Sequence, residues 1–413
     1  MIDPTTLHGF FDYLPEEMVI RQFVSDTWRQ IFEAYGYGQL KTPSLEYADV
    51  LFGKYGEEEK LVYHFKDFGD RHVALRYDQT VPLARVVAQY LNKGITLPFK
   101  RYEISRVWRA DAARKARKRE FYQCDADIVG TKNLLAEAEI LMLLHDGFNA
   151  LGLDEHVTML SHRKILEAYL DVIKISKEKV IEVYRSIDKL DKLGTNGVED
   201  ELKSRKIPVD LIPHILDFIQ KENKSNSDII KHLHKKLQSN AEGKSAIDDI
   251  EQVLRHVSDM GMPTANILIN TSLVRGLDYY TGTVFEVTVA KFGTSSLAGG
   301  GRYDNLLHTF TQGSIPAVGV GIGFEPICLA LAENGLSPQL SPYADVLITV
   351  FQPSLMPEYL KIAQNLRKSG LRTDLFIEAG ENIGKQLKYA DKKTNTLGAD
   401  LRPGRAKRRS NPD

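Results

Sequence analysis

Two long strand patterns, Phe99 to Trp108 and Glu120 to Val129, flank a short and very basic loop, and this pair constrains the fold more than any other feature of the chain. Strands joined so directly run antiparallel, because a parallel pair needs a crossover of a dozen or more residues, usually a helix. The other patterns agree. Leu61 to Lys66 and His72 to Arg76 alternate around the turn Phe68-Gly69-Asp70, as a hairpin does, and strand patterns return at Ala265 to Asn270, Thr283 to Val289, Leu297 to Gly301 and Pro316 to Gly323. The sequence predicts an α+β fold, an antiparallel sheet with flanking helices, and excludes the βαβ alternation of a doubly wound domain.

Helical spacing frames the sheet. From Asp12 to Tyr35, Ile20, Phe23, Val24, Trp28, Ile31, Phe32 and Tyr35 recur on one face, after the acidic turn Pro15-Glu16-Glu17 and before Gly36-Tyr37-Gly38. Further helices are expected at Val81 to Tyr90, Leu134 to Ala150 and Glu325 to Asn334. From His162 to about Met260 the pattern is almost wholly helical, which reads as an insertion into the sheet domain. After the linker Leu336-Ser337-Pro338 a small βαβα unit is expected, with strands Ala344 to Val350 and Arg372 to Phe376 and helices Met356 to Ser369 and Asn382 to Asp391. The predicted organisation is a first part of the main domain at 1–160, a helical insertion at 161–262, a second part at 263–336, a small α/β domain at 343–393, and an irregular basic tail at 394–413 without hydrophobic period.

Composition narrows the class. A chain of 413 residues exceeds what one hydrophobic core holds. With Lys+Arg 54 against Asp+Glu 55, affinity for nucleic acid has to come from local basic patches. Cys124 and Cys328 leave no room for a disulfide framework or a Cys-rich zinc site. Met1-Ile2-Asp3-Pro4 carries no basic lead or apolar run, and charges interrupt every apolar stretch before membrane-spanning length, so a cytoplasmic protein with no membrane partner is expected. His232-Leu233-His234 invites a metal reading, but rings two positions apart on a helix point away from each other, and no metal site is expected there.

The basic hairpin gathers Lys100, Arg101, Arg106, Arg109, Arg114, Lys115, Arg117, Lys118 and Arg119 against Glu103, Asp111 and Glu120. Guanidinium forks match phosphate oxygens, so the hairpin suits ATP or an RNA end; a solvated charged loop is the alternative. A P-loop does not accompany it, since Gly380-Glu381-Asn382-Ile383-Gly384-Lys385-Gln386 has the wrong spacing. Gly319-Val320-Gly321-Ile322-Gly323 is no dinucleotide fingerprint either; its glycines let the backbone approach a ligand. The longest motif is Leu273-Val274-Arg275-Gly276-Leu277-Asp278-Tyr279-Tyr280-Thr281-Gly282-Thr283-Val284-Phe285-Glu286, followed by Gly299-Gly300-Gly301-Arg302-Tyr303-Asp304. These segments resemble the two histidine-specific signatures of the histidyl-tRNA synthetases, a class II family. The likeness extends to Gly9-Phe10-Phe11-Asp12-Tyr13-Leu14-Pro15, to Leu75-Arg76-Tyr77-Asp78-Gln79-Thr80 and to the arginine-rich hairpin.

The resemblance implies ATP-dependent activation of L-histidine to histidyl-adenylate, with Mg²⁺ on the outer phosphates, and transfer to the 3′ end of tRNA(His). It implies a homodimer whose interface includes Leu40 to Leu51. Arg109 and Arg275 would be catalytic, neutralising the α-phosphate from opposite sides. Asp111 would meet the adenine edge, Arg117 the distal phosphates, Phe121 the adenine face, and Glu325 would complete the ATP site. Asp78, Thr80 and Gln123 would surround the α-ammonium, with Asp127, Tyr279 and Tyr280 at the imidazole. The insertion would contact the acceptor arm and the C-terminal domain the anticodon. The rival reading is a synthetase-like regulatory subunit of ATP phosphoribosyltransferase that senses histidine; the intact Arg275 to Tyr280 favours the ligase.

Two departures stand out. Motif 3 of the family ends in Glu-Arg, where this chain has Glu325-Pro326. Weakened ATP binding is expected, compensated by Arg117 or Arg302. The small C-terminal sheet should also continue with apolar strands, but Thr394 to Asp413 offers none. That tail reads as the product of a shifted frame near Lys393, or as an RNA-binding segment built on Arg402, Arg405, Lys407, Arg408 and Arg409.

Overall fold

The computed structural model describes residues 2–53, 56–112, 118–219, 225–274, 280–292, 296–310, 313–338, 344–378, 382–392 and 397–399. Its main sheet has eight strands in the spatial order Gly38–Gln39, Phe99–Trp108, Glu120–Val129, Ala317–Ile322, Ala298–Tyr303, Thr283–Val289, His156–His162 and Ile267–Ile269. The inner six run antiparallel, and a short parallel strand closes each edge. The hairpin is as the sequence predicts, with Phe99 opposite Val129 and Trp108 opposite Glu120. His156–His162, a seven-residue strand, was hidden from the sequence reading by the helical patterns on both sides of it.

Alternation divides the Glu120–Val129 strand between two environments. Cys124, Ala126 and Ile128 join the core under the helices, while Gln123, Asp125 and Asp127 face the opposite side, towards a cavity. The helix layer holds Pro15–Ala34, Leu135–Ala150 and Phe324–Glu333. Pro15 and the acidic Glu16 and Glu17 open the first of these, and the Leu14 N–H donates to Glu17 Oε2 at 3.1 Å. Trp28 lies 5.5 Å from the Phe148 ring and 5.8 Å from Phe32, which stacks 5.0 Å from Tyr102 of the sheet. The approach is close enough that a Cβ on Gly147 would stand 2.2 Å from Trp28. That buried aromatic stack fixes the helix layer to the back of the sheet.

The helices from Arg163–Val172 to Ala241–Asp259 fill the stretch of chain between the strands His156–His162 and Ile267–Ile269. Their buried faces, among them Leu166, Ile187, Leu202, Ile215 and Ile250, belong to the same continuous core as the sheet. His234, on the helix Asn226–Lys236, is an exposed partner of Glu251 at 3.7 Å, with Asp248 beside it. A second, three-stranded antiparallel sheet, Leu45–Tyr47, His72–Leu75 and His64–Lys66, carries the start of the helix Thr80–Tyr90 towards the cavity.

The chain divides into two compact units, Met1–Ser337 and Pro338–Asp413. In the second, Val346–Ile348 is the central strand between Thr373–Leu375 and Leu397–Ala399, all parallel, with helices Met356–Lys368 and Ile383–Lys392. The strand Leu397–Ala399 corrects the expectation that 394–413 contributes none: three residues are too short to show a period, and the open edge of Val346–Ile348 supplies their ladder. The remainder of the tail, with Arg402, Arg405, Lys407, Arg408 and Arg409, lies outside the described residues.

Candidate active site

A cavity of about 340 Å³ opens over the sheet face opposite the helix layer. Its floor is glycine. Gly299 pairs with Gly321 and Gly301 with Gly319 across adjacent strands. A Cβ on Gly319 would fall 1.8 Å from Asp127 Oδ1, and one on Gly301 would fall 3.0 Å from the Tyr280 ring. Glycine is therefore required for Asp127 and Tyr280 to lie down over the strands; the close approach here is made by the protein's own side chains, where the sequence pattern predicts a ligand.

One group of residues at the cavity is acidic. Asp127 is held 2.5 Å from Arg101 Nη2 and accepts from the Tyr303 hydroxyl, all of them buried. Burial pushes the Asp127 carboxyl up, against the pull of Arg101 and of Tyr303. Gln123 Nε2 donates to Asp125 Oδ2 at 2.9 Å. Thr80, the first residue of its helix, and Tyr280 complete the wall. Asp78 is buried next to them, and its Oδ1 accepts from the Val81 N–H at 3.2 Å. Glu103, opposite Asp125 on the neighbouring strand, is saturated by Arg76 at 2.7 Å, by Thr42 and by Ser105.

A second group is cationic and aromatic. The Arg109 guanidinium lies over Tyr77 at 4.3 Å and near Phe121 at 5.3 Å, anchored by Nε donating to the Tyr77 carbonyl. Asp111 lines the same wall. At the rim, Glu325 accepts two bonds from Arg21, at 2.8 and 2.6 Å, and one from Lys118 at 2.7 Å. Arg21 in turn stacks 3.8 Å from Tyr13, whose hydroxyl accepts from Lys118. Burial opposes the Glu325 charge, but Arg21 and Lys118 outweigh it and hold the carboxyl below its ordinary value. The N-terminal motif belongs to this group: the Arg119 N–H donates to the Gly9 carbonyl, and Gly9 has φ +85°, with Arg119 packed where a side chain would stand.

The family model described as histidyl-tRNA synthetase matches residues 9–327. The chain belongs to the histidyl-tRNA synthetases. A second match, described as an anticodon binding domain, covers residues 345–397. The chain is 38% identical to the histidine–tRNA ligase of Cytophaga hutchinsonii over 95% of its own length and 91% of that protein's. It is also 38% identical to the histidine–tRNA ligase of Aeropyrum pernix, over 92% and 86%. The crystal structure of histidyl-tRNA synthetase from Nostoc superposes with a TM-score of 0.85 at 32% identity, covering 97% of this chain and 92% of that one.

As a histidyl-tRNA synthetase, the chain brings Thr80, Gln123, Asp127 and Tyr280 together with Arg109, Asp111, Phe121 and Glu325 in the lining of one cavity. Asp78 is buried next to these residues, near enough to Asp125 for its charge to act on that carboxyl. Arg275, Tyr279 and Arg117 lie outside the described residues, as do Arg114 and Lys115. Arg302 is not a spare cation. It clasps Glu137 through two bonds of 2.6 and 2.7 Å and donates to the Thr131 carbonyl, all within the protein, which corrects the expectation that it replaces the missing motif 3 arginine. The basic hairpin is likewise not one phosphate cluster: Lys100 pairs with Glu139, Arg101 with Asp127 and Arg106 with Glu120, and among its described cations Arg109 and Lys118 line the cavity. Sequence reasoning missed Arg21, Lys118 and Asp125 as site residues. Asp125 had a legible signal, its position between Gln123 and Asp127 on one strand face.

Proposed function

We propose that the chain joins histidine to ATP as histidyl-adenylate and passes the histidyl group to the 3′ end of tRNA(His), as a cytoplasmic enzyme of translation. The observation that carries this reading is the lining of one cavity, which gathers the carboxylates Asp125 and Asp127, the cations Arg109 and Lys118, the rings of Phe121 and Tyr280 and a glycine-rich strand. A carboxylate beside a tyrosine suits an imidazole, because a wrong side chain leaves buried polar groups unpaired. The α-carboxylate of histidine attacks the α-phosphorus; the new O–P bond forms as the bond to pyrophosphate breaks. No general base is needed, only charge neutralisation, which Arg109 supplies from one side. The matching role for Arg275 rests on the family resemblance.

Mg²⁺ enters as part of the nucleotide substrate, held by phosphates, water and one or two carboxylates. Both Glu325 oxygens are engaged by cations. Leu45, Tyr47 and Phe65, exposed apolar residues of the three-stranded sheet, support the homodimer reading through the segment Leu40 to Leu51. The C-terminal unit would read the anticodon and the helical insertion the acceptor arm.

The test is histidine-dependent pyrophosphate exchange without tRNA, beside an Arg275→Ala control. Exchange abolished by the control is the expected result. Histidine binding without exchange at saturating ATP would refute the ligase and favour the histidine-sensing regulator.

A further inference from the structure

We propose that Asp125 receives the α-ammonium of the bound amino acid on its Oδ1, as a specificity residue of the acidic group; this deepens the histidine-activating reading and rests on it. Asp125 projects from the same strand face as Gln123 and Asp127, and all line the cavity. Its Oδ2 accepts from Gln123, but its Oδ1 is buried without a partner. Buried polar atoms are nearly always paired, so an orphan at a cavity wall marks where a ligand atom belongs.

The floor keeps that place open. Gly321 pairs with Asp125 across the sheet, and a Cβ there would stand 3.3 Å from Oδ1 and 3.8 Å from Gln123 Nε2. Charge points the same way. Arg76 answers Glu103 at 2.7 Å and Arg101 answers Asp127 at 2.5 Å, whereas among the described residues no cation forms an ion pair with Asp125. Burial pushes the Asp125 carboxyl well up; Arg101 opposes this, and Asp127, Asp78 and Glu103 add to it, with the Tyr280 and Tyr303 phenols on the facing wall. A ligand that brings a full positive charge relieves this excess, which a neutral ring N–H does not. Of the groups on histidine, that is the ammonium.

The test is calorimetric binding of histidine and of its des-amino analogue, imidazole propionate, to the full chain and to Asp125→Asn. Histidine affinity should fall roughly 10- to 100-fold, the range of a charge-assisted hydrogen bond. The analogue should bind both proteins alike within about twofold. Wild type should also release protons on binding histidine, seen as a heat that depends on the buffer, and the variant should not. The melting temperature should hold or rise, since a neutral amide replaces an acid that burial already holds towards its neutral form, whereas a purely structural aspartate would lower it. Gly321→Ala, which crowds Oδ1 without touching the acid, should weaken histidine in the same selective way and answers the question if Asp125→Asn does not fold. Unchanged histidine affinity, or equal loss for both ligands, overturns the proposal while wild-type exchange leaves the ligase standing. A wild type that binds no histidine overturns both.

Discussion

Replacing Glu325 by Gln should loosen the unit that carries the active site. The carboxylate holds two cations, Arg21 at 2.6 Å and Lys118 at 2.7 Å, with side-chain exposures of 7%, 17% and, for Glu325 itself, 6%. Breaking a buried pair by removing one partner costs about 3–5 kcal/mol, because the other charge is left uncompensated. The amide oxygen of Gln still accepts one bond from Arg21, and the rings of Tyr13, Tyr122 and Phe324 remain around the guanidinium. These place the expected loss at the lower end, about 3 kcal/mol. For a unit the size of Met1–Ser337, with about 2 cal/mol/K of unfolding entropy per residue, that is a fall of roughly 4 °C in Tm. The sign with pH follows from the depressed Glu325 carboxyl. The wild-type advantage is fully present above the unfolded value of about 4.3 and is lost as pH falls through the lower folded-state value. Scanning calorimetry of both proteins from pH 8 to well below pH 4 reads this directly: the gap should hold down to the unfolded value and close only beneath it. A variant as stable as wild type at pH 7.5, or a gap that closes between pH 8 and 6, would refute the reasoning.

Other outcomes follow from the same geometry. Gly319→Ala drives a methyl into Asp127 Oδ1 and should raise KM for histidine at least about tenfold in pyrophosphate exchange, since it dislodges a charged hydrogen-bonding group; KM for ATP is the internal control. Lys118→Met should raise KM for ATP and spare that for histidine, because Lys118 belongs to the cationic and aromatic group in the cavity lining. Pro326→Arg supplies the missing cation at the cavity rim and should tighten ATP about 2- to 30-fold, the range of a cation–π contact, by nucleotide titration.

What the sequence disclosed depended on how local the cause was. Phe99–Trp108, Glu120–Val129 and Thr283–Val289 were legible to the residue because alternation over a whole strand is a local signal. The same alternation already placed Gln123, Asp125 and Asp127 on one face, although the family pattern drew attention to only two of them. Arg21 and Glu325 lie 304 positions apart, and nothing near either announces the other. Arg302 looked available because its partner Glu137 sits on a distant helix, and the nine cations of the hairpin looked alike until Asp127, Glu120 and Glu139 claimed some of them. Leu397–Ala399 has no signal of its own; its strand exists only as the edge of a sheet made elsewhere.

The order of strands in the main sheet carries a consequence for how the protein is made. Glu120–Val129 is among the first long strands to leave the ribosome, but its neighbour Ala317–Ile322 comes after the whole helical insertion. Until then one flank of that strand is an unpaired ladder bearing Asp125 and Asp127 with no glycine floor beneath them. Such an edge is adhesive, and pairing across so long a stretch of sequence is slow. The nascent chain therefore spends close to half of its synthesis with that strand unpaired on one side and in need of shielding. The insertion, whose apolar faces share the core behind that sheet, is the part of the polypeptide that emerges in time to give it cover.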